Sequence, residues 1–321
     1  MSLTKVGVIG GRGNICSGNL GREIVRALLD NKHFKEVYVF TRSDTVAKGQ
    51  KSDLLKEFES KGAKIHEIDY TDEKQLKEGF TLLNGGIIIS LAPSFAPADI
   101  DTQKKHIDTA VQCGVKRWVP NEFGTAPAHP PISAFQDARI KIKDHLETVK
   151  DVMSHTFFFV GYFNEFITQR SGFGFSLEDK TADLEAGGEQ YVSWTTRPDI
   201  GRFVASALSH PKSENAEVRV CGDVKRMIDV VHLFERELGT TFTLHKYSVE
   251  ESRQRYKEKK CSVFALTCAE DKAYVGRSPF SREEDLKKVS GLDNEWCQDF
   301  AQRTIEDNVK EKAEEMKKAS L

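Results

Sequence analysis

No apolar run in this chain is long enough to cross a bilayer. The longest, near residues 87–91 and 157–163, fall far short of the roughly 20 residues a spanning helix needs. Cysteine is sparse and scattered: Cys16, Cys113, Cys221, Cys261, Cys268 and Cys297 form no C-x-x-C pair. That spacing argues against a zinc site and against a disulfide framework, and it fits reduced thiols; no metal is expected. An excess of either charge is missing too, because 47 Lys and Arg against 49 Asp and Glu leave a formal net charge of −2. Direct attraction to nucleic acid or to a membrane surface is therefore not expected. The amino terminus has no signal-peptide layout, since the apolar stretch 6–9 is short and broken by glycine. The final Ala319-Ser-Leu lacks the basic middle residue of a peroxisomal address. A cytoplasmic location is the expectation. No repeat or low-complexity linker stands out, and 321 residues suffice to bury a substantial core.

What is present is a strand, a glycine turn and a helix at the very start. Lys5-Val-Gly-Val-Ile-Gly-Gly-Arg-Gly-Asn14 leads through Gly18 and Gly21 into an amphipathic segment that begins near Leu20. This order is the dinucleotide-binding opening of a βαβ unit. Gly10 permits the tight turn, Gly13 lets the backbone approach a pyrophosphate, and Gly21 allows close helix–strand packing. The free N–H groups at the helix start attract the phosphates. The spacing is irregular: Cys16 stands where the third glycine is normally found, as if about five residues had been inserted. A structural turn without ligand is the alternative.

Strands and helices then alternate. Helix is expected over residues 20–30, 52–60, from Thr71 as a cap, over 101–113 and through about 150. Strands are expected at 37–40, 64–68, 86–91, 117–120 and 156–160. The run Gly86-Ile-Ile-Ile-Ser-Leu91 reads as a central parallel strand covered on both faces. Beyond residue 162 organisation loosens, with a late strand near 217–220, a helix over 228–238 and a charged amphipathic tail over 295–318. The fold class is α/β, a Rossmann-type doubly wound parallel sheet with a smaller, mainly carboxyl-terminal substrate domain. The expected division is 1–163 with 190–232 for the dinucleotide domain, and 164–189 with 233–321 for the substrate domain. In such sheets ligands gather at the carboxyl ends of the strands, so the residues after Ile9, Phe40, Leu91, Pro120 and Val160 face one crevice.

The end of the second strand decides which nucleotide. An acidic residue there would hold ribose hydroxyls; this chain has Arg42, whose guanidinium can pair with a 2′-phosphate, and Lys51 can add a second cation. NADP(H) is the expected cofactor, with ordinary surface cations as the alternative.

Taken together these pieces resemble the NmrA-like and isoflavone-reductase-like group of atypical short-chain dehydrogenases. The resemblance rests on Val8-Ile-Gly-Gly-Arg-Gly13, Thr41-Arg42, Lys51, Ile87-Ile-Ile-Ser-Leu-Ala92, Val119-Pro-Asn-Glu-Phe-Gly124, Val160-Gly-Tyr-Phe163 and Arg197-Pro-Asp-Ile-Gly201. It implies that Arg12 and Asn14 belong to the cofactor loop, that Arg42 and Lys51 hold the 2′-phosphate, and that Ala92 lies near the second ribose. It also implies a place near the nicotinamide for Phe123 and a cofactor-binding role for Asn121. Two departures matter. The glycine loop is longer than the family's, so residues 14–19 wrap the pyrophosphate differently. The family's catalytic lysine position, counted back from Asp144-His-Leu-Glu147, falls on Arg139.

Lys141, two residues on, is turned away by roughly 200°, whereas Lys143, four on, shares a face with Arg139. Ile140, Ile142 and Leu146 are taken as the opposite, apolar side. Arginine stabilises a developing oxyanion but is a poor proton shuttle, which makes Lys143 the better acid candidate. The catalytic candidates are thus Arg139, Lys143 and Lys141, and His129, Tyr162 and Phe163 are candidates for substrate contact. The implied function is an NADPH-dependent reductase of a small aromatic or polycyclic secondary metabolite. The alternatives are a non-catalytic redox sensor of NmrA type, which the missing lysine favours, and an isomerase or cyclase that retains the nucleotide. A homodimer is left open.

Overall fold

A computed structural model of the chain describes residues 3–10, 19–42, 53–92, 97–127, 131, 133–167, 173–276, 292–297 and 300–319. Packing divides it into two compact units. The first comprises Met1–Phe123, Pro127–Phe158 and Ile200–Val218; the second comprises Gly124–Ala126, Phe159–Asp199 and Arg219–Leu321.

The first unit is built on β1 (Lys5–Ile9), β2 (Glu36–Thr41), β3 (Lys64–Glu67), β4 (Ile87–Ser90), β5 (Arg117–Val119) and β6 (Ser154–Phe159). With a late strand, Ala216–Arg219, at the edge beside β6, they form a seven-stranded sheet in which β3-β2-β1-β4-β5-β6 are consecutive neighbours. Every pairing among these six is parallel. Because β1 lies between β2 and β4, the winding reverses at β1 and opens a crevice at its carboxyl end. The continuous apolar pattern of β4 is accounted for by its place: all four residues are buried.

Helices α1 (Leu20–Asp30), α2 (Asp53–Ser60), α3 (Glu73–Thr81), α4 (Pro97–Gln112) and α5 (Ala134–Val149) connect the strands. Leu20, Ile24, Val25 and Leu28 form the buried stripe of α1. The expected cap of α3, Thr71, is corrected to Asp72. The Asp72 carboxylate accepts from the N–H groups of Lys74 (2.9 Å) and Gln75 (3.2 Å), while Thr71 is turned back to Asp69. Helix Arg197–Ser209 lies on α1 through Gly201, where a Cβ would stand 2.4 Å from the backbone oxygen of Glu23. That approach explains the glycine of the Arg-Pro-Asp-Ile-Gly motif.

The second unit contains β7 (Tyr162–Phe163), β8 (Phe175–Ser176), β9 (Thr181–Leu184) and β10 (Tyr191–Thr195). Numbering the late edge strand Ala216–Arg219 as β11, it continues with β12 (Asp223–Arg226) and β13 (Thr243–Lys246). These form two three-stranded sheets, β12-β10-β7 and β13-β9-β8. Around them Phe173, Phe175, Trp194, Phe234 and Phe242 build a core, closed by helices Met227–Leu238 and Ile305–Ala319. Ile305, Val309 and Ala313, spaced four apart, are the buried stripe of the charged tail helix. Here the structure departs from the expected boundaries. β7, β10 and β12, expected in the dinucleotide domain, pair with one another instead of joining the large sheet.

Candidate functional site

The carboxyl ends of β1 and β4 lie together. The N–H of Leu91 donates to the oxygen of Ile9 (3.1 Å), and the turn beyond β1 takes Gly10 to φ 79°. A Cβ on Gly10 would stand 3.3 Å from the Leu91 Cβ, so conformation and space both call for glycine. Among the described residues α1 starts without a side-chain cap, since Asn19 has φ 71° and makes no capping bond. Its first N–H groups therefore keep their attraction for an anion. Gly21 is buried within the first turn of α1. Arg42 follows β2 as an exposed cation, and its charge helps hold the Asp69 carboxyl below the usual range, mainly set by two hydrogen bonds from Thr71. Arg12, Gly13, Asn14, Lys51 and His129 lie outside the described residues.

The loops after β4 and β5 are tied to each other, for the Asn121 amide donates to the Ala92 oxygen (3.0 Å). Phe123 stacks on Phe158 of β6, with ring centroids 5.9 Å apart. Ala92, Asn121 and Phe123 are thus brought to one end of the sheet. Between the last two, Glu122 turns the other way into the interior. It is buried, and Arg139 donates to its carboxylate through Nε and to its backbone oxygen through Nη2 at 3.3 Å.

The orientation of α5 therefore corrects the expectation. Arg139, Ile142 and Leu146 stand at spacings of three and seven, one stripe, and all are buried. Ile142 and Leu146 are neighbours of the arginine on its own face. Burial pushes the Glu122 carboxyl up, and the charge and hydrogen bond of Arg139 oppose this, with a smaller pull from Lys143. The Arg139 guanidinium is the counter-charge that a carboxylate buried here requires. Lys143 is half-buried at the edge of the stripe, 2.5 Å from Glu217 and 5.5 Å above the Phe157 ring. Lys141 is exposed and pairs with Asp137 at 2.7 Å.

The two aromatic candidates for substrate lie in the second unit. Tyr162 is corrected to a core residue: it is buried against Phe173, Trp194 and Phe264, and its hydroxyl donates to the Phe264 oxygen (3.2 Å). Phe163 is buried and stacked on Phe166. Among the described residues no His, Cys, Asp and Glu cluster could hold a metal ion.

Sequence reasoning passed over Tyr70 and His106. Tyr70, just past β3, donates its hydroxyl to the Phe40 oxygen (2.9 Å), and His106 of α4 meets the Tyr70 oxygen through Nε2 (3.0 Å). His106 is buried, so that nitrogen carries the proton, and desolvation lowers its pKa despite the carbonyl bond. His155 is likewise buried and lowered, chiefly by desolvation. A depressed histidine takes its proton more readily when unfolded. Its stabilising contribution is present above the unfolded value and is lost as pH falls toward the folded one. Urea unfolding free energy should therefore decline below about pH 6.5, by up to about 1.4 kcal/mol per pH unit for each histidine. His106→Asn should flatten the slope by about one proton; an unchanged slope would contradict this assignment.

Comparison with known proteins follows the same lines. The NmrA-like family model matches residues 4–316. The chain is 28% identical over 245 residues to "Pinoresinol reductase 2" of Arabidopsis thaliana, covering 73% of this chain and 74% of that protein. It is 28% identical over 267 residues to "Bifunctional pinoresinol-lariciresinol reductase 2" of Linum usitatissimum, covering 79% and 78%. A solved structure of AtPrR2 with NADP+ and (+)pinoresinol superposes with a TM-score of 0.76 at 22% identity, covering 97% of this chain and 99% of that one. At that identity the likeness establishes a common fold.

Proposed function

The chain belongs to the NmrA-like family, and from that membership we propose that it is an NADPH-dependent reductase of a small aromatic secondary metabolite. The observation that carries the proposal is the reversal of the sheet at β1. There the obligatory Gly10, the uncapped start of α1 and the exposed Arg42 come to one sheet end. These residues fit a dinucleotide phosphate: Gly10 leaves room, α1 offers N–H groups, and Arg42 offers a guanidinium to a 2′-phosphate. Ala92, Asn121 and Phe123, at the same sheet end, are assigned to the sugar and ring at the other end of the dinucleotide. A bound nicotinamide supplies hydride to an electron-poor carbon. The names of the relatives, pinoresinol and pinoresinol-lariciresinol reductases, support an aromatic substrate.

The protein's own part in the chemistry falls to α5. Arg139, held by Glu122, positions the Asn121–Phe123 loop. With Lys141 exposed beside Asp137, Lys143 is assigned as the proton donor to the oxygen that gains charge, a role in which it must leave its pair with Glu217. NADPH oxidation across a panel of lignan and flavonoid electrophiles tests this. Turnover should fall by about a hundredfold in Lys143→Ala with NADPH affinity little changed. Unaltered turnover in Lys143→Ala would remove the lysine from the mechanism. A second reading, a redox sensor without turnover, is favoured by the locking of Arg139 in the lysine position. It predicts similar affinity for oxidised and reduced nucleotide and no turnover on any member of the panel.

A further inference from the structure

The last matched pair of the β1–β2 ladder is Ile9 with Phe40. Beyond it the strands part: β1 enters the glycine turn at Gly10, and β2 runs on to Thr41 and Arg42. At such a fork each strand leaves a backbone group that its neighbour no longer reaches, and a buried one needs another partner. A phenol carries a donor and an acceptor on one oxygen, so it can serve both. Tyr70 occupies this place. Its hydroxyl donates to the Phe40 oxygen at 2.9 Å, and although burial raises its pKa, the Gly10 backbone N–H and the Arg42 charge both favour a negative charge on the same oxygen. Its own backbone is anchored from α4 by His106, whose ring lies 6.2 Å from the phenol. Tyr70 contributes no motif, and none of the roles assigned above uses it.

We infer that Tyr70 is a positioning residue of the nucleotide site, whose hydroxyl bridges the ends of β1 and β2 and thereby sets the spacing between the pyrophosphate turn at Gly10 and the 2′-phosphate cation at Arg42. The inference rests on the dinucleotide reading above. It differs from a packing role because removing one oxygen leaves the ring's volume in place while releasing both strand ends. A pyrophosphate is common to NADPH and NADH, whereas the 2′-phosphate is not. Loss of the bridge should therefore weaken both nucleotides and NADPH more.

The test is calorimetric titration of the wild-type protein, Tyr70→Phe and Thr71→Ala with NADPH and with NADH, alongside thermal melting. Thr71→Ala removes the neighbouring hydroxyl, which bonds Asp69 at 2.7 Å and does not reach the fork. Tyr70→Phe should weaken NADH about fivefold and NADPH about twenty-fivefold, the scale of one or two hydrogen bonds, with the melting midpoint little changed. The NADPH-to-NADH preference thus falls about fivefold, and Thr71→Ala should keep it within twofold. Affinities within twofold of wild type in Tyr70→Phe overturn the inference. So does a large drop in melting midpoint with an unchanged preference, which would mark a merely structural hydroxyl. A wild-type protein that binds neither nucleotide overturns the dinucleotide reading, and the bridge with it.

Discussion

Arg139→Ala should destabilise the protein by about 3–5 kcal/mol, the cost of removing one partner from a buried ion pair. Glu122 and Arg139 expose only 3% and 4% of their side chains, so solvent offers the orphaned carboxylate little compensation. Arg139→Lys should recover little, because a point ammonium cannot reproduce the paired donation to carboxylate and backbone oxygen. The double variant Glu122→Gln with Arg139→Met should regain a large share, since replacing both charges removes the desolvation penalty as well as the attraction. Urea unfolding of the three variants measures this. A loss below about 1 kcal/mol in Arg139→Ala would mean that the pair is not what holds the Asn121–Phe123 loop.

The second large effect concerns Arg42. If its guanidinium meets a 2′-phosphate, Arg42→Ala should reduce the preference for NADPH over NADH by about 10- to 100-fold, the scale of a charge-assisted pair at an exposed position. NADH affinity should stay within about twofold, because NADH has no group for this residue to hold. The distinction separates a specific contact from a general loss of positive potential, which would weaken both nucleotides. Raising the salt concentration should shrink the wild-type preference in the same direction, since Arg42 is exposed and its field is screened. Titration of both nucleotides against both proteins decides the matter. A preference that survives Arg42→Ala undiminished would assign the selectivity to another residue.

The large sheet was legible in the chain because its strands and helices obey simple periods. Ile87, Ile88 and Ile89 are buried without alternation, and Leu20, Ile24 and Leu28 fall on one helical face. The glycine turn was legible for a conformational reason, the positive φ of Gly10. The second unit was not, since strands as short as Tyr162–Phe163 and Phe175–Ser176 leave no periodic trace. Tyr162 was misplaced with them: an aromatic beyond a strand end can line a crevice or fill a core, and only the packing of Phe173, Trp194 and Phe264 around it decides.

On α5 the identities were legible but the face was not. Comparing Arg139 with Lys143 alone groups the two cations, whereas the seven-residue step to Leu146 puts the arginine in the apolar stripe. A charge there needs a partner, and Glu122, which reads as part of a loop motif, is that partner. Tyr70 could have been flagged as a phenol immediately past a strand. Nothing in the sequence says, however, that the Phe40 oxygen will want its hydroxyl.

The measurement that bears most directly on the central claim is calorimetric titration of the wild-type protein with NADPH and with NADH at equal ionic strength. With a phosphate-binding turn at Gly10 and a 2′-phosphate cation at Arg42, NADPH should bind more tightly by about 2–4 kcal/mol, roughly 30- to 900-fold. Equal affinities, or a preference for NADH, would contradict the account.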